Sequence, residues 1–177
     1  MAMAGVRLVH SIDVVNAPDL TISEYIGRVT SGDTSVSSCL CTVRQATKES
    51  PQTPEFDEYV LVLEGEIHVY HGATLDECIT VSAGEGFVLN KGTRVRWEWP
   101  GPCRYVAICL PAFSPENAGR EEATGPVAKT EAALKTLREL HAASPASSLF
   151  TFWTGGIASH GVAVAVGFLL ACAIMKR

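Results

Sequence analysis

Apolar and polar residues alternate with a period of about two along short runs of the chain, and turns rich in Gly, Pro and Asn separate these runs. Alternation at this period is typical of β-strands whose two faces meet different surroundings. Many short strands with turn signals between them indicate an antiparallel barrel or sandwich. The predicted strands are 20–29, 35–46, a hairpin over 56–70, 78–81, 86–89, 93–99 and 102–111.

The hairpin over 56–70 has the strongest strand pattern, broken only at Glu64-Gly65. Its first strand places Glu58, Val60 and Val62 on one face and Tyr59, Leu61 and Leu63 on the other. Apart from the glutamate, both faces are apolar, which is typical of a strand covered on both sides. We therefore expect this strand to lie in the middle of the domain.

Four short sequence motifs resemble those of a known family: Asp57-Glu58, Val62-Leu63-Glu64-Gly65-Glu66, Ala83-Gly84-Glu85-Gly86 and Lys91-Gly92. Together they resemble the two motifs of the cupin superfamily, or RmlC-like proteins, over residues 21–113. The ethanolamine-utilisation type is the most similar branch, because it also has an aromatic-Asp-Glu word. The resemblance implies an all-β fold with a single cupin-type antiparallel β-barrel, a double-stranded β-helix or jelly roll.

The usual metal ligands of that family are mostly absent. Its first motif has two histidines upstream of a glutamate, but residues 51–57 contain no histidine, so only Glu58 matches a ligand. In the second motif, the expected proline and histidine fall on Asn90 and Val95. The resemblance thus implies a barrel without a metal or other cofactor. A remaining hypothesis is an unconventional zinc or iron site built from Glu58, Cys39, Cys41 and a histidine.

Glu58 is the candidate catalytic residue. The resemblance implies that it faces the barrel lumen, where burial would raise its pKa unless Arg44 or another cation compensates. It could then serve as a proton donor, a proton acceptor or an anchor for a ligand. The alternative is a structural carboxylate that accepts backbone hydrogen bonds at the barrel mouth.

Two tryptophans occupy the face that a metal cupin gives to its inward histidine. Trp97 and Trp99 share that face with Val95, so we expect both indoles to point inward. They could form an aromatic pocket for a small organic ligand or simply fill the core, and we favour the filled core. The candidate ligand-binding residues are Tyr59, Arg44, Trp97, Trp99 and Tyr105.

Charge and cysteine content narrow the possible functions. The net charge is −5, and no basic stripe suits nucleic acid, which we therefore exclude as a partner. None of the six cysteines forms a CxxC pair, so we interpret them as reduced thiols. His68 and His71 are three apart on one strand and should point to opposite faces, which disfavours a shared metal.

The C-terminal part of the chain predicts two helices. Within a linker over 114–148, residues 130–143 carry a stripe of Leu134, Leu137, Leu140 and His141, with Thr130 as a possible cap. Residues 149–175 contain no charged side chain apart from a possible charge on His160. A helix of about 27 residues is about 40 Å long and can cross a bilayer of about 30 Å. We predict a transmembrane helix at 149–175, after an extension at 1–19 and a barrel at 20–113.

This arrangement predicts a tail-anchored membrane protein whose barrel faces the cytosol, or an organelle matrix or stroma in an inner-membrane complex. The expected partners are the membrane through Leu149–Met175, a membrane protein complex or a second copy of the chain, and a small-molecule ligand. Our first hypothesis is a non-metal binding or assembly module that is not an enzyme. The alternative is a metal-independent enzyme that uses Glu58 as acid or base.

Overall fold

The fold consists of ten β-strands and one helix in the part of the chain that the computed structural model describes, residues 5–121 and 128–144. The predicted transmembrane segment at 149–175 lies outside the described residues. The strands are β1 Ile12–Asn16, β2 Leu20–Ile26, β3 Ser37–Val43, β4 Thr47–Lys48, β5 Asp57–Glu64, β6 Glu66–His71, β7 Glu77–Ser82, β8 Gly86–Leu89, β9 Val95–Trp99 and β10 Cys103–Leu110. The helix α1 spans Ala128–Ala142.

The strands form two antiparallel sheets, which confirms the predicted mostly-β cupin fold. One sheet has six strands in the order β1-β2-β3-β10-β5-β8, and the other has four in the order β4-β9-β6-β7. Inward residues of both sheets, such as Val62 from the first and Ile67 from the second, belong to one hydrophobic cluster. The core therefore lies between the sheets, as expected for a jelly roll.

The turn between β5 and β6 joins the two sheets and depends on a glycine. Gly65 has a φ of 76°, a left-handed conformation that a residue with a Cβ rarely adopts. A Cβ at this position would also collide with the carbonyl oxygen of Pro102. Both constraints explain why the apolar pattern over 56–70 is interrupted at this residue. The predicted hairpin over 56–70 is wrong, because β5 and β6 lie in different sheets and do not pair with each other.

The expectation that β5 is covered on both sides is wrong for the described part of the chain. Val60 and Val62 are buried, but Tyr59, Leu61 and Leu63 on the other face are 40–48% exposed. The reason is that the second sheet packs against one face of β5 only, and no described element crosses the opposite face. Apolar residues on both faces of a strand thus did not imply two buried faces.

Helix α1 packs against the first strand. Leu137 is buried and belongs to a small cluster with Val14 and Val15 of β1. His141, predicted on the same stripe, is also buried. The helix begins at Ala128, two residues before the predicted cap Thr130, so Thr130 lies within the first turn. Among the described residues, no helix is both long and apolar enough to cross a membrane.

Candidate functional site

A cavity of about 140 Å³ lies between the two sheets. Strands β2, β3, β5, β9 and β10 supply most of its wall, and β1, α1 and the loop after β4 complete it. Three carboxyl groups, one guanidinium and three thiols are among its lining groups, together with several aromatic rings. The lining includes Glu24, Cys39, Cys41, Glu49, Gln52, Phe56, Glu58, Trp97, Trp99, Tyr105, Cys109, Phe113, Arg120 and Leu137.

Glu58 is the polar residue at the centre of this site. It lies on β5 between Cys109 of β10 and Leu89 of β8 in the strand register, and its side chain points into the cavity. The residue is only 8% exposed, and no hydrogen bond or ion pair reaches its carboxyl from the described residues. Burial, and secondarily the charge of Glu49, raise its pKa to about 8. The carboxyl is therefore largely protonated at neutral pH.

Three thiols surround the Glu58 side of the cavity. Cys39 and Cys41 of β3 pair in register with Ala107 and Tyr105 of β10, and Cys109 is two residues further along β10. Burial raises the pKa of all three thiols. Because a thiolate is the reactive form, these cysteines act as small apolar groups that leave room for the cavity.

An aromatic stack also lines the cavity, with Trp97 and Trp99 from β9 of the four-stranded sheet and Tyr105 from β10 of the six-stranded sheet. The Trp97 and Trp99 rings lie 6.0 Å apart, and Tyr105 lies 5.9 Å from each. Phe87 packs against Trp97 at 5.2 Å. Both indole nitrogens are fully buried without a hydrogen-bond partner, so the tryptophans present carbon atoms to the cavity. Burial raises the pKa of the Tyr105 hydroxyl well above its usual range, so Tyr105 remains neutral.

An ion pair lies at the edge of the cavity. Arg120 donates a hydrogen bond from Nη2 to Oε2 of Glu49 at 3.0 Å. Backbone pairing sets this contact, because Thr53 N donates to the Gly119 carbonyl at 2.9 Å and Gln52 forms a β-bridge with Arg120. Gly119 has a φ of 57°, and a Cβ there would collide with the Thr53 backbone. The glycine thus allows the close approach that brings Arg120 to the cavity.

The remaining lining carboxylate has a structural role. Glu24 is buried on β2, and its Oε1 accepts hydrogen bonds from the backbone N–H groups of Val29 and Thr30 at 3.0 and 2.8 Å. These bonds hold the turn that follows β2. Glu24 is therefore already satisfied by protein groups, unlike Glu58.

The structure brings together four of the six residues that the sequence proposed for the site. Glu58, Trp97, Trp99 and Tyr105 line the same cavity. Tyr59 is 45% exposed on the outer face of β5, because successive residues of a strand point to opposite faces.

Arg44 is the other proposed residue that does not line the cavity. It is exposed after β3 and donates hydrogen bonds to the Ala17 carbonyl and the Thr21 hydroxyl. Neither Arg44 nor Tyr59 can contact a ligand held in the cavity, so Arg44 does not supply the compensating charge considered for Glu58.

Two further expectations about the lumen are corrected. The indoles point inward as predicted and belong to the hydrophobic core, but a cavity remains beside them, so the core is only partly filled. The hypothesis of a Glu58, Cys39, Cys41 and histidine metal site does not fit the residues present. Among the described residues, no group of three or more His, Cys, Asp or Glu side chains is arranged to hold a metal ion.

Sequence reasoning missed Glu49, Gln52 and Arg120 as site residues. The sequence shows only that residues 51–57 lack histidine, which gives no signal for Glu49 or Gln52. Arg120 lies in the predicted linker and meets Glu49 across 71 positions of sequence. Periodicity carries no signal for a contact of that kind, since both residues lie outside the regular strands.

Comparisons with known proteins agree with this architecture. The sequence model of the EutQ-like cupin domain matches residues 33–104. Ectoine synthase from P. lautus has a TM-score of 0.51 at 14% identity, over 65% of this chain and 83% of that chain. A putative ethanolamine utilization protein Q from Salmonella typhimurium LT2 has a TM-score of 0.47 at 18% identity, over 62% of this chain and 100% of that chain. At 14% identity the likeness to the ectoine synthase shows a similar fold and nothing further.

One curated relative is a longer protein. The chain is 34% identical over 119 residues to a Myxococcus xanthus protein named Endoribonuclease YbeY, which covers 66% of this chain. The chain spans 40% of that relative's length. The family match and the two-sheet barrel agree: over residues 33–104 the chain matches the EutQ-like cupin domain, and its strands form the cupin fold.

Proposed function

We propose that this cupin domain binds a small organic molecule in the cavity between its sheets, with Glu58 as the group that fixes the ligand's orientation. The observation that carries the proposal is a buried carboxyl that lines a cavity and has no partner among the described residues. Buried polar groups in native proteins nearly always have a partner. A bound ligand would supply one for Glu58.

The volume of the cavity limits the ligand to a small molecule. A cavity of about 150 Å³ in another protein accommodates benzene, and this cavity measures about 140 Å³. The part of the ligand that the cavity can enclose therefore has on the order of six to eight non-hydrogen atoms. At a ceiling of about −1.5 kcal/mol for each such atom, the enclosed part contributes at most about −9 to −12 kcal/mol, and most compounds reach far less, so the assays extend to millimolar concentrations.

The chemistry of the wall favours a ligand with an apolar body and one polar end. The stacked rings of Trp97, Trp99 and Tyr105 offer carbon surface to the body, and Glu58 faces the polar end. Cavities lined by apolar groups with a few convergent polar groups are the usual form of a small-molecule site.

The test is a thermal unfolding screen of the full-length protein, in mild detergent, against a panel of small cationic, neutral and anionic compounds. A ligand that binds only the native state must raise the melting temperature. Ala107→Leu would fill part of the cavity from β10, where Ala107 lines it. Ala83→Leu, at an exposed turn residue, is the matched control.

We expect at least one compound to raise the melting temperature of the wild-type protein and of Ala83→Leu, but not of Ala107→Leu. If Ala107→Leu does not fold, Glu58→Gln takes its place and should weaken the shift. Equal shifts in all variants would place binding elsewhere. No shift with any compound would overturn the proposed function.

A second candidate function is metal-independent acid–base catalysis. The observation that favours it is the pKa of Glu58, about 8, because an acid or base works best when its pKa lies near the working pH. Turnover of a bound compound that is lost in Glu58→Gln while binding persists would support catalysis. Binding without turnover would leave the protein a binding module.

We also propose that the domain is held at a membrane, as its sequence suggests. Support comes from the uncharged run at 149–175, which is long enough as a helix to cross a bilayer. Alkaline carbonate extraction of membranes from cells that produce the protein tests this. We expect the full chain to stay in the pellet and a chain ending at Ser144 to leave it, whereas release of the full chain would contradict the proposal.

A further inference from the structure

The charges around the cavity are unevenly distributed. Among the described residues that line it, Glu24, Glu49 and Glu58 are acidic, and Arg120 is the basic one. Glu24 accepts backbone hydrogen bonds, and Glu49 pairs with Arg120. Glu58 is left without a protein partner, and its only charged neighbour with a resolved effect is another acid, Glu49.

The aromatic rings that line the cavity with Glu58 suit a positive charge. The Trp97, Trp99 and Tyr105 rings form a stack with centroids about 6 Å apart, and aromatic faces attract cations through the ring quadrupole. The indole N–H groups are buried and cannot donate to a ligand in the cavity. The wall therefore supplies aromatic carbon and carboxyl oxygen, and few hydrogen-bond donors.

We infer that the ligand of this cavity is a small organic ammonium ion, held between the Glu58 carboxylate and the aromatic stack of Trp97, Trp99 and Tyr105. This inference rests on the proposed function and names the class of ligand. A carboxylate beside aromatic rings is a suitable environment for a substituted ammonium group, because the ion pair and the cation–π contacts both stabilise the same positive charge.

Other ligand classes fit less well. An anion would approach three carboxyl groups, and the guanidinium of Arg120 already donates to Glu49. A neutral ligand would leave the Glu58 charge unmatched whenever the carboxyl is ionised. The other ionisable groups that face Glu58 are the thiols of Cys39, Cys41 and Cys109 and the Tyr105 hydroxyl. Burial keeps all four neutral, so they do not offset the carboxylate.

The test compares two probes of nearly equal shape and different charge. Choline is a permanent cation, and 3,3-dimethylbutan-1-ol is its neutral carbon analogue, each with about seven non-hydrogen atoms. Isothermal titration of the full-length protein at pH 9 measures both, because Glu58 is mostly ionised there. Glu58→Gln is the test variant. Glu55→Gln is the matched control, since Glu55 is exposed and three residues upstream.

We expect choline to bind the wild-type protein and Glu55→Gln at least about tenfold more tightly than the neutral analogue. Glu58→Gln should lose this preference, so that it binds choline no more tightly than the neutral analogue. If Glu58→Gln does not fold, the wild-type protein at pH 7 gives a second readout. Choline should then release close to one proton for each molecule bound, seen as a heat that depends on the buffer.

The outcomes separate the inference from the proposed function. Equal or tighter binding of the neutral analogue overturns the ammonium inference and leaves a small-molecule site. If neither probe binds but another compound in the thermal screen binds through the cavity, the ammonium inference is also overturned and the small-molecule site remains. If no compound in that screen binds through the cavity, the inference and the proposed function fail together.

Discussion

Replacing Glu58 by glutamine should change how the stability of the protein depends on pH. In the native state its pKa is about 8, against a reference value of 4.5. Between these values the native protein binds more protons at this site than the unfolded chain does. The wild-type free energy of unfolding should therefore fall as pH rises through this window and level off above it.

The pKa difference sets the size of the effect. At about 1.4 kcal/mol for each pKa unit, a rise from 4.5 to about 8 corresponds to about 5 kcal/mol. This stabilisation is fully present below pH 4.5 and is lost above pH 8. Glutamine has no proton to lose, so in Glu58→Gln this site does not contribute to the change of the free energy of unfolding with pH. Between pH 4 and pH 9, the free energy of unfolding of the variant should therefore rise by up to about 5 kcal/mol relative to that of the wild type.

Urea unfolding of the full chain at intervals from pH 4 to pH 9 measures this difference, with tryptophan fluorescence as the signal. Subtracting the wild-type curve from that of Glu58→Gln cancels groups that titrate alike in both proteins. Glu55→Gln is the control, because its side chain is exposed and should leave the wild-type slope unchanged. A wild-type minus Glu58→Gln difference that stays constant with pH would refute the argument that Glu58 is buried without a compensating charge.

Three other predictions test separate parts of the structure. Gly65→Ala should lower the free energy of unfolding by about 2 kcal/mol or more, because the residue needs a positive φ and contacts the Pro102 carbonyl; urea unfolding that matches the wild type would contradict this turn. Leu137→Ala should cost about 2 kcal/mol, near the lower end for buried leucine, because the side chain already borders the cavity; an effect below about 0.5 kcal/mol would mean that α1 does not pack there. Iodoacetamide should alkylate Cys78 well before the four other described cysteines, since it alone of the five is exposed; peptide mapping that shows early labelling of Cys41 or Cys109 would contradict their burial.

The sequence predicted the parts of the site that depend on strand periodicity. Glu58, Trp97 and Tyr105 each occupy an inward position of a strand. The two-residue period of the strands and the cupin-like motifs were enough to propose these residues for the site. Tyr59 was also proposed as a ligand-binding residue, but it follows Glu58 directly on β5. The same periodicity places its side chain on the outer face.

Other parts of the site could not be predicted in this way. A cavity depends on whether the volumes of side chains from both sheets add up to fill the space between them. Small residues such as Cys39, Ala107 and Cys109 leave that space next to two large indoles, and only three-dimensional packing reveals the result. The Glu49–Arg120 pair likewise depends on two loops far apart in sequence.

The most direct test of the account is the pKa of Glu58 itself. Its carboxyl carbon can be followed by NMR in the full-length protein with labelled glutamate, and Glu58→Gln identifies the signal. The account predicts a midpoint near 8, as expected for a buried carboxyl that lines a cavity without a protein partner. A midpoint near the reference value of 4.5 would show that the carboxyl is solvated or paired, and would contradict the proposed binding site.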